Sequence, residues 1–199
     1  MDTFNYLSVM ISIILGVGVT TLFVGIGNLL QIKHRIKHYW LFSLWVLILI
    51  TAHVHLWWSL WALRESVVWT YLLFLYLLIG PAILVIAGHI LIPGEFYGQD
   101  GVDHGLFDLK QHYYDSSPLF FGIFAVVVAW AMILEPVLGV RNFFVTFRIV
   151  QIIGFILVSS CAIYKNKTLH EIVGIAITVL LAGVMFLSRS QAGMIDFSE

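Results

Sequence analysis

Residues 40–63 read WLFSLWVLILITAHVHLWWSLWAL. This stretch contains no Asp, Glu, Lys or Arg, and it exceeds the ~20 residues that an α-helix needs to cross about 30 Å of hydrocarbon. Trp40 opens it and Trp57, Trp58 and Trp61 lie near its end, as in the aromatic belts of the two membrane interfaces. The stretch therefore predicts a membrane-spanning helix.

The rest of the chain is also strongly hydrophobic and poor in charged residues. Of 199 residues, 61% are hydrophobic and 11% are charged, and the mean hydropathy is +0.99, whereas a soluble domain is about 25% charged. Six apolar runs are long enough to span, and none alternates like a transmembrane β-strand. They lie at about 6–31, 40–63, 68–92, 119–138, 143–164 and 169–188. We predict one all-α domain over residues 1–199, a polytopic bundle of six transmembrane helices with a single long loop at 94–117.

Lysine and arginine in the connections predict the orientation, because their excess marks the cytoplasmic side. One side would carry Lys33, Arg35, Lys37, Lys110, Lys165 and Lys167, and the other Arg64, Arg141 and Arg189. We expect the loop 94–117 in the cytoplasm and both termini outside, in a bacterial cytoplasmic membrane. The formal net charge of −1 gives no support for a nucleic-acid partner, so the expected partners are membrane lipids and further copies of the chain.

His53 lies near the middle of the predicted helix 40–63. A charged side chain at that depth costs roughly 2.5–3.5 kcal/mol on insertion scales, so an ionisable group there is a candidate functional residue. With Trp57 one turn further on, the H-x-x-x-W spacing resembles the gate of the influenza proton channel. That resemblance implies a protonatable His53 gated by Trp57. In the other interpretation, a neutral His53 joins helices by a hydrogen bond, with Gln151 as the candidate partner.

Further polar residues could extend a proton pathway. Glu135 and Arg148 lie at matching depths on either side of the hairpin between the fourth and fifth runs. An intramembrane charge usually has a partner, so we expect an ion pair between them, although Arg148 could also snorkel to the interface. His55 and Gln151 complete the candidate pathway.

The first helix carries a face of small and polar side chains that recur every four residues. They are Ser8, Ser12, Gly16 and Thr20. Small residues at this spacing let helices approach closely in lipid, so the face is either a helix interface or the polar wall of a pore. Because six helices leave little room for an internal pathway, a pore would form more easily between the protomers of a homo-oligomer.

A second set of candidates lies on the predicted cytoplasmic side. Its imidazole and carboxylate side chains are of the types that bind metal ions. They are His89, His104, Asp108, His112 and His170. His34 and His38 have the H-x-x-x-H spacing of a metal-binding helical face, but a basic surface that binds anionic lipid also explains them. No cofactor is predicted, a metal ion is the alternative, and haem is not expected because no second histidine matches the depth of His53.

The chain as a whole resembles small bacterial integral membrane proteins with six helices. The resemblance rests on the Gly- and Thr-rich first helix, Tyr39-Trp40, Trp57-Trp58, and the stretch from His112-Tyr113-Tyr114 to Phe120-Phe121-Gly122. It implies a helical membrane bundle and no particular activity.

Three classes of function are compatible with these patterns. The leading hypothesis is a channel or transporter subunit that conducts protons or responds to pH through His53. The second is an enzyme at the membrane surface, acting on lipid or dependent on metal, which would use the cytoplasmic histidines and Asp108. No catalytic residue is assigned, because the serines lack a G-x-S-x-G turn. The third is a non-catalytic binding or assembly subunit of a membrane complex.

Overall fold

The computed structural model describes residues 3–61, 69–94, 106–138 and 145–192. Within these ranges the chain forms six α-helices, which confirms the all-α prediction. They are α1 Thr3–Gln31, α2 Trp40–Trp61, α3 Tyr71–Leu91, α4 Leu109–Leu138, α5 Val145–Ile163 and α6 Lys167–Ala192. A short 3₁₀ turn, Lys33–Arg35, follows α1. The strands β1 Ile36–Lys37 and β2 Phe107–Asp108 form one short parallel pair.

Among the described residues, five helices are long and apolar enough to cross a membrane. Their candidate spans are Phe4–Gln31, Trp40–Leu60, Tyr71–Leu91, Leu109–Leu134 and Lys167–Phe186. The apolar part of α5, Arg148–Ile163, is shorter than the ~20 residues that cross the hydrocarbon. Five of the six predicted spans therefore have the length and composition of a transmembrane helix.

The start of α4 differs from the sequence prediction. The helix begins at Leu109, ten residues before the predicted 119, so residues 109–117 of the expected loop are helical. Asp108 explains this start, since its Oδ1 accepts hydrogen bonds from the backbone N–H groups of Lys110 (2.9 Å) and Gln111 (3.3 Å). These are donors that an N-cap side chain satisfies. Residues 95–105 of the loop lie outside the described residues.

Pro118 does not end α4, although it lacks a backbone donor for the carbonyl of Tyr114 one turn earlier. The hydroxyl of Ser117 donates to that carbonyl at 3.0 Å. Ser116 similarly donates to the carbonyl of His112 at 2.8 Å. The two serines before the proline thus satisfy backbone groups in that turn, and the helix continues to Leu138.

Helix α2 lies at the centre of the bundle, in contact with α1, α3, α4 and α6. Its Trp45 is fully buried and meets three phenylalanines of α4, Phe120, Phe121 and Phe124, with ring centroids 4.8–5.8 Å apart. All three contacts are edge-to-face, the arrangement favoured by the aromatic quadrupole. This cluster fixes one half of α2 against α4.

Helices α1 and α3 are parallel and interlock through glycines. Val85 of α3 packs at Gly18, Leu22 of α1 packs at Gly88, and Ile92, the residue that follows α3, packs at Gly25. The partners are 67, 66 and 67 residues apart in sequence, so the register is constant along the contact. Each large side chain occupies space that a glycine leaves open, which allows close approach in lipid.

Helices α3 and α4 are joined by two reciprocal hydrogen bonds. The hydroxyl of Tyr76 donates to the carbonyl of Trp130 at 3.0 Å, and the indole N–H of Trp130 donates to the carbonyl of Tyr76 at 3.1 Å. Gly80 lies against the Trp130 ring, where a Cβ atom would overlap it. The next residue, Pro81, is buried inside α3. The Gly80-Pro81 step therefore makes room for Trp130.

Candidate functional site

His53 is the buried ionisable side chain of α2, only 1% exposed. Its Nδ1 atom lies 2.7 Å from the carbonyl oxygen of Leu49, one turn earlier. A carbonyl oxygen can only accept, so Nδ1 carries the proton of the neutral ring and donates to Leu49. The other nitrogen, Nε2, is then a bare acceptor.

The Nε2 atom of His53 has no hydrogen-bond partner among the described residues. It points at Gly18 of α1, where a Cβ atom would overlap Nε2 and lie 2.7 Å from Cδ2. The same position is 3.1 Å from Cγ2 of Val85 on α3. His53 therefore packs between α1 and α3, and the predicted hydrogen bond between His53 and Gln151 of α5 is wrong.

Trp57 links α2 to α1. Its indole N–H donates to the Ser12 hydroxyl at 2.9 Å, and its ring is 38% exposed. Beside it, Phe4, Ser8, Ile11 and Leu60 line a small cleft together with Trp57. The predicted gate residue thus lies one turn from His53 and makes an interhelical contact that sequence spacing alone does not show.

The remaining pathway candidates are spread over the bundle. His55 is half-buried on α2, and its carbonyl accepts from the Ser59 hydroxyl at 2.9 Å. Gln151 and Arg148 lie on α5, which packs against α4 and α6. The side chain of Glu135 is outside the described part of the structure, so its ion pair with Arg148 stays a prediction.

The small face of α1 divides into two parts. Ser12 bonds to Trp57, and the Ser8 hydroxyl donates within its own helix to the carbonyl of Asn5 at 3.0 Å. Gly16 and Thr20 are exposed, and a Cβ atom at Gly16 would meet no neighbouring side chain or helix within 4 Å in the described part of the chain. Within one chain, α1 packs mainly through the neighbouring ridge that contains Gly18.

The proposed metal ligands are not brought together. Among the described residues, no group of three His, Cys, Asp or Glu side chains could hold a metal ion. His89 donates to the carbonyl of Val85 and His112 to the carbonyl of Leu91, each at 3.0 Å. Asp108 binds Lys37 at 3.2 Å. His104 lies outside the described residues.

The pair His34 and His38 does not lie on an α-helix. The chain between them passes from the 3₁₀ turn into β1. His38 Nε2 is 3.0 Å from the hydroxyl of Ser43. The prediction that the H-x-x-x-H spacing puts both rings on one helical face is therefore wrong, because the turn ends before a helical face can form.

A buried polar cluster at His170 was not recognised as such in the sequence. His170 is fully buried, and its Nε2 lies 2.9 Å from the carbonyl of Tyr164. Nε2 must therefore donate, which leaves Nδ1 to accept from the Tyr113 hydroxyl at 2.9 Å. No spacing rule connects residues 113 and 170. The available signal was the Tyr113-Tyr114 pair itself, since buried tyrosines need partners for their hydroxyl groups.

Two groups near this end of the bundle have shifted acidities. Burial raises the pKa of Tyr39, and so does its hydrogen bond to Tyr114, so the Tyr39 hydroxyl stays protonated. For Asp108, desolvation acts upward on the pKa, but the N–H groups of Gln111 and Lys110 and the Lys37 ammonium outweigh it and lower the pKa. Asp108 is therefore held as a carboxylate, which suits its contact with Lys37.

These observations define the class as an all-helical protein with five helices fit to cross a membrane. Compared with models of known families, with curated proteins and with solved structures, the chain matches none. Its function must therefore be inferred from its own side chains, among which His53 combines burial, an acid–base group and an unpaired acceptor.

Proposed function

We propose that this protein is a subunit of a proton-coupled channel or transporter in which His53 Nε2 binds the proton. The observation that supports this is the buried, unpartnered Nε2 atom facing Gly18. Buried polar atoms nearly always have hydrogen-bond partners, and an exception in a folded protein calls for an explanation. A basic nitrogen kept free of donors at this depth is suited to receive a proton.

Protonation of His53 would couple to movement of α1. It would add an N–H group and a positive charge at Nε2, where Gly18 and Val85 pack and offer no titratable group or side-chain acceptor. A charge near the bilayer centre costs roughly 2.5–3.5 kcal/mol on insertion scales. The charged ring is therefore favoured only in a conformation where α1 separates from α2 and water or another acceptor reaches Nε2. A proton that prefers that conformation shifts the population toward it.

The proposal includes an orientation and an assembly. The end of the bundle with Lys33, Arg35, Lys37, Lys165 and Lys167 would face the cytoplasm, because basic residues are retained there. The membrane would be the bacterial cytoplasmic membrane. Copies of the chain would associate through the exposed part of α1 that contains Gly16 and Thr20, where small side chains favour close helix contacts.

Proton flux in proteoliposomes tests the role of His53. Purified wild type and the variants His53→Gln and His53→Ala are reconstituted with a pH-sensitive dye inside, and a potassium diffusion potential drives proton entry. We expect flux in the wild type and its loss in both variants. His89→Gln is the matched control, because His89 is exposed and its one hydrogen bond among the described residues is to Val85 of its own helix. It should leave the flux unchanged.

Equal flux in wild type and His53 variants, or no flux in any of them, would refute the proposal. Thermal unfolding in detergent shows whether each variant is folded before its flux is compared.

A further inference from the structure

We infer that Ser12 and Trp57 form a gate between the small cleft at one end of α1 and α2 and the buried His53. This inference rests on the proposed function, since it assigns the route by which a proton reaches Nε2. The species that would pass is a water molecule or hydronium ion.

The order of residues along both helices places the gate between cleft and imidazole. On α1, Phe4, Ser8 and Ile11 line the cleft, Ser12 follows, and Gly18 at His53 comes last. On α2, which runs in the opposite direction, Leu60 and Trp57 line the cleft and His53 lies one turn deeper. A molecule that moves between these two helices from the cleft to His53 would pass the contact between Ser12 and Trp57.

The chemistry of this contact suits a gate. The indole N–H donates to the Ser12 hydroxyl at 2.9 Å, so a polar bond holds a large ring between the cleft and His53. Trp57 is 38% exposed, so part of this residue lies at the surface of the bundle. Beyond Ser12 on α1, Leu15 is 4% exposed and belongs to the same buried apolar cluster as Ile11 and Leu60.

The hydroxyls of Ser8 and Ser12 differ in their hydrogen-bond partners. Ser8 lines the cleft, and its hydroxyl donates within α1 to the carbonyl of Asn5. Ser8→Ala therefore removes a hydroxyl from the same helix, one turn before Ser12, without breaking the bond between Ser12 and Trp57. It is the matched control for Ser12→Ala.

Chemical labelling of His53 tests the gate without measuring transport. Diethyl pyrocarbonate is a small water-soluble reagent that carbethoxylates neutral imidazole, and peptide mass spectrometry resolves His53 from the other histidines. The protein is reconstituted at full length. We expect slow labelling of His53 in wild type and Ser8→Ala, and labelling faster by roughly two- to tenfold in Ser12→Ala and Trp57→Phe, the change that loss of one hydrogen bond produces in an opening equilibrium. Ser12→Thr, which keeps the hydroxyl, should restore slow labelling.

Labelling of His89, an exposed residue, serves as the internal reference and should be the same in all variants. If His53 labels no faster in Ser12→Ala and Trp57→Phe than in Ser8→Ala, the gate is refuted, even if His53 proves essential for proton flux. If labelling rises as expected but His53→Gln conducts protons like wild type, the gate stands and the proposed function fails. If Ser12→Ala alone proves unfolded, Trp57→Phe gives the same comparison.

Discussion

Gly18 provides a direct test of the packing that isolates His53. Substitution of Gly18 by alanine would place a Cβ atom on Nε2 of His53 and 3.1 Å from Val85. The imidazole cannot simply turn away, because its Nδ1 is bonded to Leu49 at 2.7 Å and the ring is 1% exposed. The substitution must therefore push α1 away from α2 or break that hydrogen bond.

The magnitude follows from two opposed effects. Overpacking of a tight interior costs about 1–3 kcal/mol, whereas alanine in place of a mid-helix glycine gains about 0.5–1 kcal/mol. Gly16 lies two residues away on the same helix, and a Cβ atom there would meet no neighbouring side chain or helix within 4 Å among the described residues. Gly16→Ala should therefore show only the gain in helix propensity. The difference in unfolding free energy between the two variants cancels helix propensity and should be about 1–3 kcal/mol, with Gly18→Ala the less stable.

The assay is reversible unfolding in mixed detergent micelles, followed by helical circular dichroism. The same two substitutions are then made in a His53→Ala background, where the overlapping ring is gone. There Gly18→Ala should approach Gly16→Ala, and the coupling between residues 18 and 53 should appear as a double-mutant interaction energy. Equal stabilities of the two alanine variants with His53 present would contradict the packing described for Nε2.

Two further predictions concern the other end of the bundle. Tyr113→Phe leaves the buried Nδ1 of His170 without its donor, so the free energy of unfolding should fall by about 1–3 kcal/mol. The control Tyr71→Phe, at an exposed tyrosine, should change that free energy little in the same detergent assay. Asp108 has a lowered pKa, so its carboxylate contributes stability that is present above its unfolded pKa of about 3.9 and is lost as pH falls through the folded value. The unfolding free energy should therefore fall less between pH 6 and pH 3 in Asp108→Asn, which keeps the capping oxygen, than in the wild type or in the control Asp115→Asn. An equal fall in Asp108→Asn and wild type would contradict the role of the charge.

The sequence predicted the helical class because it follows from apolar run length, which is a property of each segment alone. His53 could also be recognised, since depth within one run identifies a costly ionisable group. Its surroundings could not be recognised. Whether residue 53 meets Gly18 or Gln151 depends on which helices are neighbours and on their relative register, and neither is encoded in the spacing within a single helix.

The residue that caps the start of α6 could not be identified from the sequence either, because it depends on the path of the preceding chain. Thr168 and Glu171 fit a capping box, but α6 begins earlier, and the cap is Asn166, whose Oδ1 accepts from the N–H groups of Thr168 (3.0 Å) and Leu169 (3.4 Å). Glu171 instead lies 3.7 Å from Lys167. Several polar residues near a helix start could each cap it, and the path of the preceding chain decides between them.

The two halves of α2 are held by different contacts, Trp45 by α4 and Trp57 by α1. Trp45 is held by the aromatic rings of α4, so a tilt of α2 would turn about this contact, while α1 packs against α3 through its glycines. Trp57 lies twelve residues from Trp45, which is about 18 Å along the helix axis. A tilt of α2 by ~10° about Trp45 would move the Trp57 indole by about 3 Å, enough to separate it from Ser12. The same tilt would move His53 away from Gly18 by about 2 Å.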